Sequence, residues 1–228
     1  SPSRGLGDVY KRQSKGNFGE LLMPGHIKAK YILLMGLVYL GLYTSIQVLV
    51  TAHEFDFLTR YDKLIPFLPE HIWLYHTILP VILLTMFILV KTKRIFFITF
   101  WACAVSAVLL NISYVCFPSF YPRPEFDIDS ISKAMVYITY QIDGSNNTFP
   151  SGHVAFAWII FFGAYFSDMA KNISGLRCLY FLWAVGLSLS TLTLKQHYVV
   201  DVFSGILLGA TSFYISFYMA KLYADHLN

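Results

Sequence analysis

The chain alternates long apolar segments with shorter polar ones. Six segments lack Asp, Glu, Lys and Arg, apart from Asp201 in the last, and they cover residues 31–51, 72–90, 95–117, 152–167, 178–194 and 198–220. Crossing a bilayer core of about 30 Å takes about 20 helical residues, and most of the segments fit; residues 152–167 form the shortest. No alternation typical of barrel strands is visible. The pattern predicts an all-α fold, a six-helix transmembrane bundle forming one domain.

The polar segments define the rest of the organisation. Residues 1–30 form a lead-in, of which residues 1–13 resemble translated adapter sequence and are left out of the fold prediction. Residues 31–222 form the six-span domain. The longest connection, residues 118–149, joins the third and fourth spans and is expected to be an interfacial extracytoplasmic loop. It contains a predicted short helix over residues 130–141, with Asp129 as its cap.

Composition and charge agree with a membrane protein. The chain is 56% hydrophobic and 13% charged, whereas average globular chains are about 25% charged. If the N-terminus is cytoplasmic, 12 of the 17 Lys and Arg residues fall on the inner side. This bias predicts a multi-pass protein of the cell membrane with both termini cytoplasmic. The net charge of +4 therefore mostly reflects topology, and no basic face large enough for nucleic acid remains.

Ionisable residues stand where two apolar segments begin. A Pro-Ser-Gly-His sequence at residues 150–153 opens the fourth, and His197 and Asp201 open the sixth. Charged groups at the mouth of a membrane span are costly, so they are functional candidates. In the predicted topology they share the outer interface with Arg123. This convergence predicts an active site on the extracytoplasmic side.

The Pro-Ser-Gly-His sequence is suited to an anion. Pro150 favours a helix start, and Ser151 and Gly152 offer backbone N–H groups at a helix N-terminus, where phosphate binds. Gly152 would let the anion come close. Arg123, between two prolines, could grip phosphate oxygens. Ordinary helix capping and a headgroup-facing arginine are the alternatives.

The histidines suit covalent phosphoryl transfer. His197 and Asp201, spaced i and i+4, would share a helical face, so that Asp201 fixes the tautomer of His197 and leaves one nitrogen free to attack. His153 would protonate the leaving oxygen. A structural polar pair and a metal site are the alternatives for His197 and Asp201. Gly205 and Gly209 continue the stripe of His197 and Asp201 and predict close approach of another helix.

These residues resemble the motifs of the type 2 phosphatidic acid phosphatase superfamily. The second motif is the intact Pro-Ser-Gly-His; the third is kept in Ser190, His197 and Asp201 at the family spacing; of the first only Arg123 and its proline remain. The resemblance implies that His197 forms a phosphohistidine, that Asp201 orients it and that His153 protonates the leaving group. It implies no metal and no cofactor. It also implies a phosphate site made of Arg123, Ser151, Gly152 and Ser190.

Two family cations are missing. Cys116 stands in place of a lysine and Thr191 in place of an arginine, and Lys195 is the candidate replacement for one of them. Residues 193–198 are similar to the branch near inositol phosphorylceramide and sphingomyelin synthases, which transfer a phosphoryl-linked headgroup to an alcohol. The first hypothesis is therefore a lipid-phosphate phosphatase with a lipid phosphate substrate in the bilayer. The alternatives are a lipid phosphotransferase and a non-catalytic lipid-binding protein.

Overall fold

The computed structural model describes residues 21–50 and 54–226, with side chains described up to residue 222. The predictions for residues 1–20 lie outside the described residues. The helices are α1 Gly25–Leu49, α2 Ile72–Tyr75, α3 Ile78–Leu84, α4 Lys93–Cys116, α5 Ile131–Ile142, α6 Gly152–Phe166, α7 Asp168–Asn172, α8 Leu176–Thr193 and α9 Val199–His226. The 3-10 turn Pro69–His71 precedes α2, and the π-helical segment Thr85–Leu89 follows α3.

The predicted all-α membrane bundle is confirmed. Among the described residues, five helical segments are long and apolar enough to cross a membrane: α1, Pro69–Leu89, α4, α8 and the Val199–Leu222 part of α9. Helix α6, the fourth predicted span, has only 15 residues, or about 22 Å of helix. It packs against α4, α8 and α9 and so occupies the centre of the bundle. The count of six spans stays a prediction.

The second predicted span is not one continuous helix. Helix α2 ends at Tyr75 and α3 begins at Ile78. The break has a local cause, because Pro80 has no N–H to donate to the carbonyl of His76, four residues earlier. Farther along, Lys28 donates to the carbonyls of Met86 (2.9 Å) and Val90 (2.6 Å) where the π-helical segment ends. Its ammonium thereby satisfies carbonyls that the helix end leaves without partners.

Helix α1 begins inside the predicted lead-in. It starts at Gly25, and Lys28 in its first turn is buried. The helix therefore starts before the apolar segment at residue 31, while the domain boundary at residue 30 stays a prediction. The physical reason is that the carbonyls at the end of the second span draw Lys28 inward, which a hydropathy pattern cannot reveal.

The loop between α4 and α6 contains the predicted short helix, as α5. Its cap is Ser130, whose hydroxyl accepts from the backbone N–H of Lys133. The predicted cap Asp129 was wrong, because its carboxylate instead pairs with the Lys133 ammonium at 2.7 Å. Bonds at both ends, from Trp73 Nε1 to the Ser132 hydroxyl and from the Tyr140 hydroxyl to the Leu194 carbonyl, hold α5 to the bundle.

Helices α6 and α9 approach closely at two glycines. A Cβ on Gly205 would lie 2.6 Å from the Ser151 carbonyl oxygen, and one on Gly209 would lie 2.5 Å from that of Ala155. Side chains other than hydrogen would push these backbones apart. The close approach predicted from the glycine stripe is confirmed, and it joins the starts of the two helices that carry His153 and Asp201.

Candidate active site

The start of α6 is capped by Ser151. Its hydroxyl accepts from the Val154 N–H at 3.4 Å, and the helix begins at Gly152. Pro150 therefore lies immediately before the cap, at the helix start that the sequence predicted. The N–H groups of Gly152 and His153 belong to the first turn, where no helical acceptor is available to them. Such donors form an anion site.

Gly152 begins α6 and also allows close packing of α6 against two tyrosines. A Cβ there would lie 3.2 Å from the Tyr114 hydroxyl and 3.4 Å from the Tyr39 hydroxyl. The absent side chain thus leaves room for α1 and α4 to approach α6. The sequence suggested room for an anion, and the structure adds a second reason for glycine at this position.

His197 lies in the loop before α9, which starts at Val199. The prediction that it shares a helical face with Asp201 was therefore wrong, yet the two remain adjacent: Nδ1 of His197 lies 3.6 Å from Oδ2 of Asp201. The nearer partner of Nδ1 is the carbonyl of Thr148, at 2.9 Å. A carbonyl can only accept, so Nδ1 carries the proton and Nε2 keeps its lone pair.

Asp201 is fully buried at the first turn of α9. Its Oδ2 accepts from the Tyr198 N–H at 2.8 Å, while Oδ1 is buried with no hydrogen-bond partner in the described residues. Its backbone carbonyl accepts from the Ser151 N–H at 3.0 Å. This last bond ties the two sequence motifs directly to each other.

The two candidate histidines face each other across the ends of α6 and α9. Their ring centroids are 6.2 Å apart, with the planes inclined by 56°. His197 is 7% exposed. The rings predicted to meet from separate helices thus lie within a few ångströms, although their chemical roles stay predictions.

His153 has neighbours that the sequence did not single out. Its ring stacks on Tyr75 with centroids 4.5 Å apart, and its Nδ1 lies 3.4 Å from the Tyr75 hydroxyl. That hydroxyl donates to Oδ2 of Asp143 at 3.0 Å, and the Tyr43 hydroxyl donates to Oδ1 at 2.5 Å. Neither tyrosine nor Asp143 belongs to the sequence motifs at residues 150–153 and 190–201.

Asp143 is held as a carboxylate. Burial by itself would raise its pKa, but the charge of His153, the hydrogen bond from Tyr43 and the charge of Arg123 outweigh burial and keep the pKa below its usual value. The buried negative charge of Asp143 is therefore connected to His153 through the Tyr75 hydroxyl. No feature of the local sequence distinguishes this aspartate from an ordinary turn residue.

Arg123 braces the loops of the site. Its guanidinium donates to the carbonyls of Lys195 (2.7 Å), Gly144 (2.7 Å) and Asp143 (3.2 Å). It also lies over the Tyr140 ring, 4.6 Å from the centroid. Nε is buried without a partner among the described residues. These contacts fix the guanidinium beside Asp143, while its role as a phosphate ligand stays a prediction.

Lys195 turns toward the loop that contains Asp62 and Ile65, called the first outer loop after the predicted topology. Its ammonium donates to the carbonyls of Ile65 (2.5 Å) and Asp62 (3.2 Å). Burial lowers the pKa of Lys195, and the charge of Asp62 partly offsets that effect. Its use as a substitute phosphate ligand stays a prediction, and would require the ammonium to leave those carbonyls.

The remaining motif positions lie at the end of α8. The hydroxyls of Ser190 and Thr191 donate to backbone carbonyls one turn earlier, at 2.7 Å each. The Thr191 carbonyl accepts from the N–H groups of Gln196 and His197, so this residue shapes the loop that carries His197. Cys116 is exposed at the end of α4. Within the described residues no group of three or more His, Cys, Asp or Glu forms a metal site.

A second aspartate that sequence analysis passed over holds the start of α9. Oδ1 of Asp62 accepts from the Val199 N–H at 2.7 Å, and Oδ2 accepts from the N–H of Thr59 at 2.7 Å. The first outer loop thus caps the helix that follows His197. The acidic residues of that loop gave no indication of which one would do so.

The fold and the site together describe an all-α membrane protein with two histidines and a carboxylate at one end of its bundle. Residues 119–223 match the model of the PAP2 superfamily and include every candidate site residue. Over these residues the match confirms the resemblance to this superfamily noted in the motifs. The match supports the enzyme class predicted from the motifs, a phosphoric ester hydrolase or a related phosphotransferase.

A solved structure similar to this chain is the crystal structure of Aquifex aeolicus LpxE. The two are 18% identical, the similarity covers 76% of this chain and 93% of that chain, and the TM-score is 0.46. No curated protein matches the sequence significantly.

Proposed function

We propose that this protein is an integral membrane lipid-phosphate phosphatase that hydrolyses a phosphomonoester through a phosphohistidine on His197. The observation that carries the proposal is the pair of imidazoles with centroids 6.2 Å apart. An attacking nitrogen sits about 3 Å from its target, and a general acid sits about 3 Å from the leaving oxygen. Both rings are therefore close enough to contact one phosphate group bound at the start of α6.

In the first half-reaction, Nε2 of His197 attacks phosphorus and the P–O bond to the lipid alcohol breaks. The leaving oxygen takes a proton from Nε2 of His153. The phosphorylated imidazole keeps its Nδ1 proton and becomes positively charged. The Thr148 carbonyl at 2.9 Å and the Asp201 carboxylate at 3.6 Å support that charge.

In the second half-reaction, His153 is neutral and takes a proton from water as the water attacks phosphorus. The N–P bond breaks, inorganic phosphate leaves and His197 regains its lone pair. The anion in both steps is bound by the first-turn N–H groups of Gly152 and His153, with Ser151, Ser190 and the charges of Arg123 and Lys195 completing the pocket.

The proposed orientation places the site on the extracytoplasmic side, with the termini in the cytoplasm. Basic residues support it, because the opposite end of the bundle carries the connections before α4 and α8. Lys91 lies in the first connection and Lys171 in α7, while Lys93 and Arg94 begin α4 and Arg177 lies in the first turn of α8. The positive-inside rule assigns such an end to the cytoplasm. The substrate's acyl chains would then lie in the outer leaflet.

One observation favours a phosphotransferase as the second candidate. The Lys195 ammonium is bonded to carbonyls, and the buried carboxylates Asp143 and Asp201 lie beside the two histidines. A dianionic monoester is repelled more strongly by such carboxylates than a monoanionic diester. These charges would suit a lipid that carries a phosphodiester headgroup. The enzyme would transfer the phosphoryl-linked headgroup to an alcohol instead of water.

The test is turnover of headgroup-labelled lipids in liposomes containing the full chain. A phosphohistidine would appear as label on the protein that is lost in acid and stable in base. Absence of this label in His197→Ala would support the phosphohistidine on His197. Release of inorganic phosphate from a monoester supports the phosphatase, whereas transfer of label to an added alcohol supports the phosphotransferase. Full activity in His197→Ala would refute both.

A further inference from the structure

We propose that Tyr75 and Asp143 form a positioning pair that holds His153 for protonation of the leaving group. The proposal rests on the function proposed above and adds residues that its motifs do not contain. Tyr75 comes from α2 and Asp143 from the residue after α5, whereas His153 lies in the first turn of α6. Three separate elements therefore converge on one imidazole.

The direction of the hydrogen bonds follows from the donor count. The Asp143 carboxylate only accepts, and both of its oxygens receive a tyrosine hydroxyl, from Tyr43 at 2.5 Å and Tyr75 at 3.0 Å. The single proton of Tyr75 is thereby used. Its oxygen can then only accept from Nδ1 of His153, 3.4 Å away. Nδ1 carries a proton, and Nε2 is left to face the substrate.

Stacking fixes the ring as well as the tautomer. The Tyr75 and His153 rings lie with centroids 4.5 Å apart and planes inclined by 30°. Offset stacking of this kind restricts rotation of the imidazole. Tyr75 therefore sets both the plane of the ring and the nitrogen that carries the proton.

The carboxylate also supports the charged form of His153. Before it donates its proton, the imidazole is positive, and Asp143 lies at the far side of the Tyr75 hydroxyl. Arg123 holds the backbone at Asp143 and Gly144 with bonds of 3.2 and 2.7 Å, so the carboxylate stays in place. His197 is arranged in parallel, with its own Nδ1 held by the Thr148 carbonyl. In both rings, therefore, an acceptor at Nδ1 leaves Nε2 for the substrate.

The structure offers a matched control for the test. Tyr43→Phe removes a hydroxyl from the same carboxylate without touching His153, whereas Tyr75→Phe removes the hydroxyl between them. Both changes delete one oxygen from a tyrosine of the bundle. Asp143→Asn is a second variant of nearly unchanged shape, in case Tyr75→Phe disturbs folding.

The experiment compares two substrates in the full-length protein. Hydrolysis of an alkyl phosphate needs a proton on the leaving oxygen, whereas nitrophenyl phosphate leaves without one. We expect Tyr75→Phe and Asp143→Asn to lower kcat at least tenfold on the alkyl substrate and far less on nitrophenyl phosphate. His153→Ala should show the same selectivity with a larger loss, since general acid catalysis contributes about 10²–10⁴-fold. Tyr43→Phe should lower both rates by the same modest factor.

Two results would overturn the positioning pair. One is an equal loss on both substrates in Tyr75→Phe and Asp143→Asn, which would mean that they only support packing. The other is a selective loss in Tyr43→Phe as large as that in Tyr75→Phe. Failure of the proposed function itself would look different, because the wild-type protein would then form no phosphohistidine with either substrate.

Discussion

The contact between α6 and α9 gives the sharpest prediction, through the substitution Gly205→Ala. The new Cβ would lie 2.6 Å from the Ser151 carbonyl oxygen, and ordinary contact begins at 3.4 Å. The obstacle is backbone and cannot rotate away. The two helices would have to separate by about 1 Å, and misplacement on that scale costs on the order of 10²-fold in rate.

The separation acts directly on the candidate site. Ser151 donates its N–H to the Asp201 carbonyl at 3.0 Å, and that bond joins the helix starts that carry His153 and Asp201. We expect kcat of Gly205→Ala to fall about 100-fold and the free energy of unfolding to fall by about 1–3 kcal/mol. Phosphate release and thermal unfolding in detergent would measure the two effects.

Gly36→Ala in α1 is the matched control. A Cβ there would meet nothing within 4 Å, and alanine in a helix is favoured over glycine by about 0.5–1 kcal/mol. This variant should therefore be as active as the wild type and equally or more stable. If Gly205→Ala behaved like Gly36→Ala, the close approach of α6 and α9 would be refuted, and with it the argument that glycine sets the spacing of the site.

Three further predictions test orientation, charge and capping. A membrane-impermeant maleimide on intact cells should label Cys116, at the site end, and spare Cys178 until the cells are permeabilised; the reverse pattern would invert the proposed topology. Because the pKa of Asp143 lies below its usual value, its ionised form stabilises the fold above about pH 4. The stability advantage of wild type over Asp143→Asn should then shrink as pH falls below that value, and a constant advantage from pH 7 to 3 would contradict this. Asp62→Ala should cost about 0.5–2 kcal/mol by uncapping Val199, and unchanged unfolding would show that water replaces the cap.

The local pattern of apolar and polar residues was sufficient to predict the class of fold. Apolar segments of bilayer length, free of charge, can only satisfy their backbone in lipid as helices, so the helical bundle followed from hydropathy. The glycines at residues 205 and 209 were informative for a similar reason, since a four-residue spacing defines one face of a helix. The motifs at residues 150–153 and 197–201 likewise fall near helix starts, where the first N–H groups have no acceptor within the helix.

Local pattern was insufficient wherever a distant residue supplied the partner. His197 was expected to depend on Asp201, four residues on, but its nearest acceptor is the carbonyl of Thr148, far back in the chain. Ser130 replaced Asp129 as a cap because Lys133 drew the carboxylate away. Lys28 is buried because its ammonium binds the carbonyls of Met86 and Val90, which lie 58 and 62 residues later in the chain.

The sequence by itself determined that this protein is an all-helical membrane protein with candidate phosphoryl-transfer residues near helix starts, because those properties depend on neighbours within a turn or two. Only the tertiary structure decided what holds each histidine. Tyr75 and Asp143 are 68 residues apart in the chain, and nothing in their local sequence marks them as partners. Their contact with His153 exists because the packing of α2, α5 and α6 brings a hydroxyl, a carboxylate and an imidazole within hydrogen-bond reach.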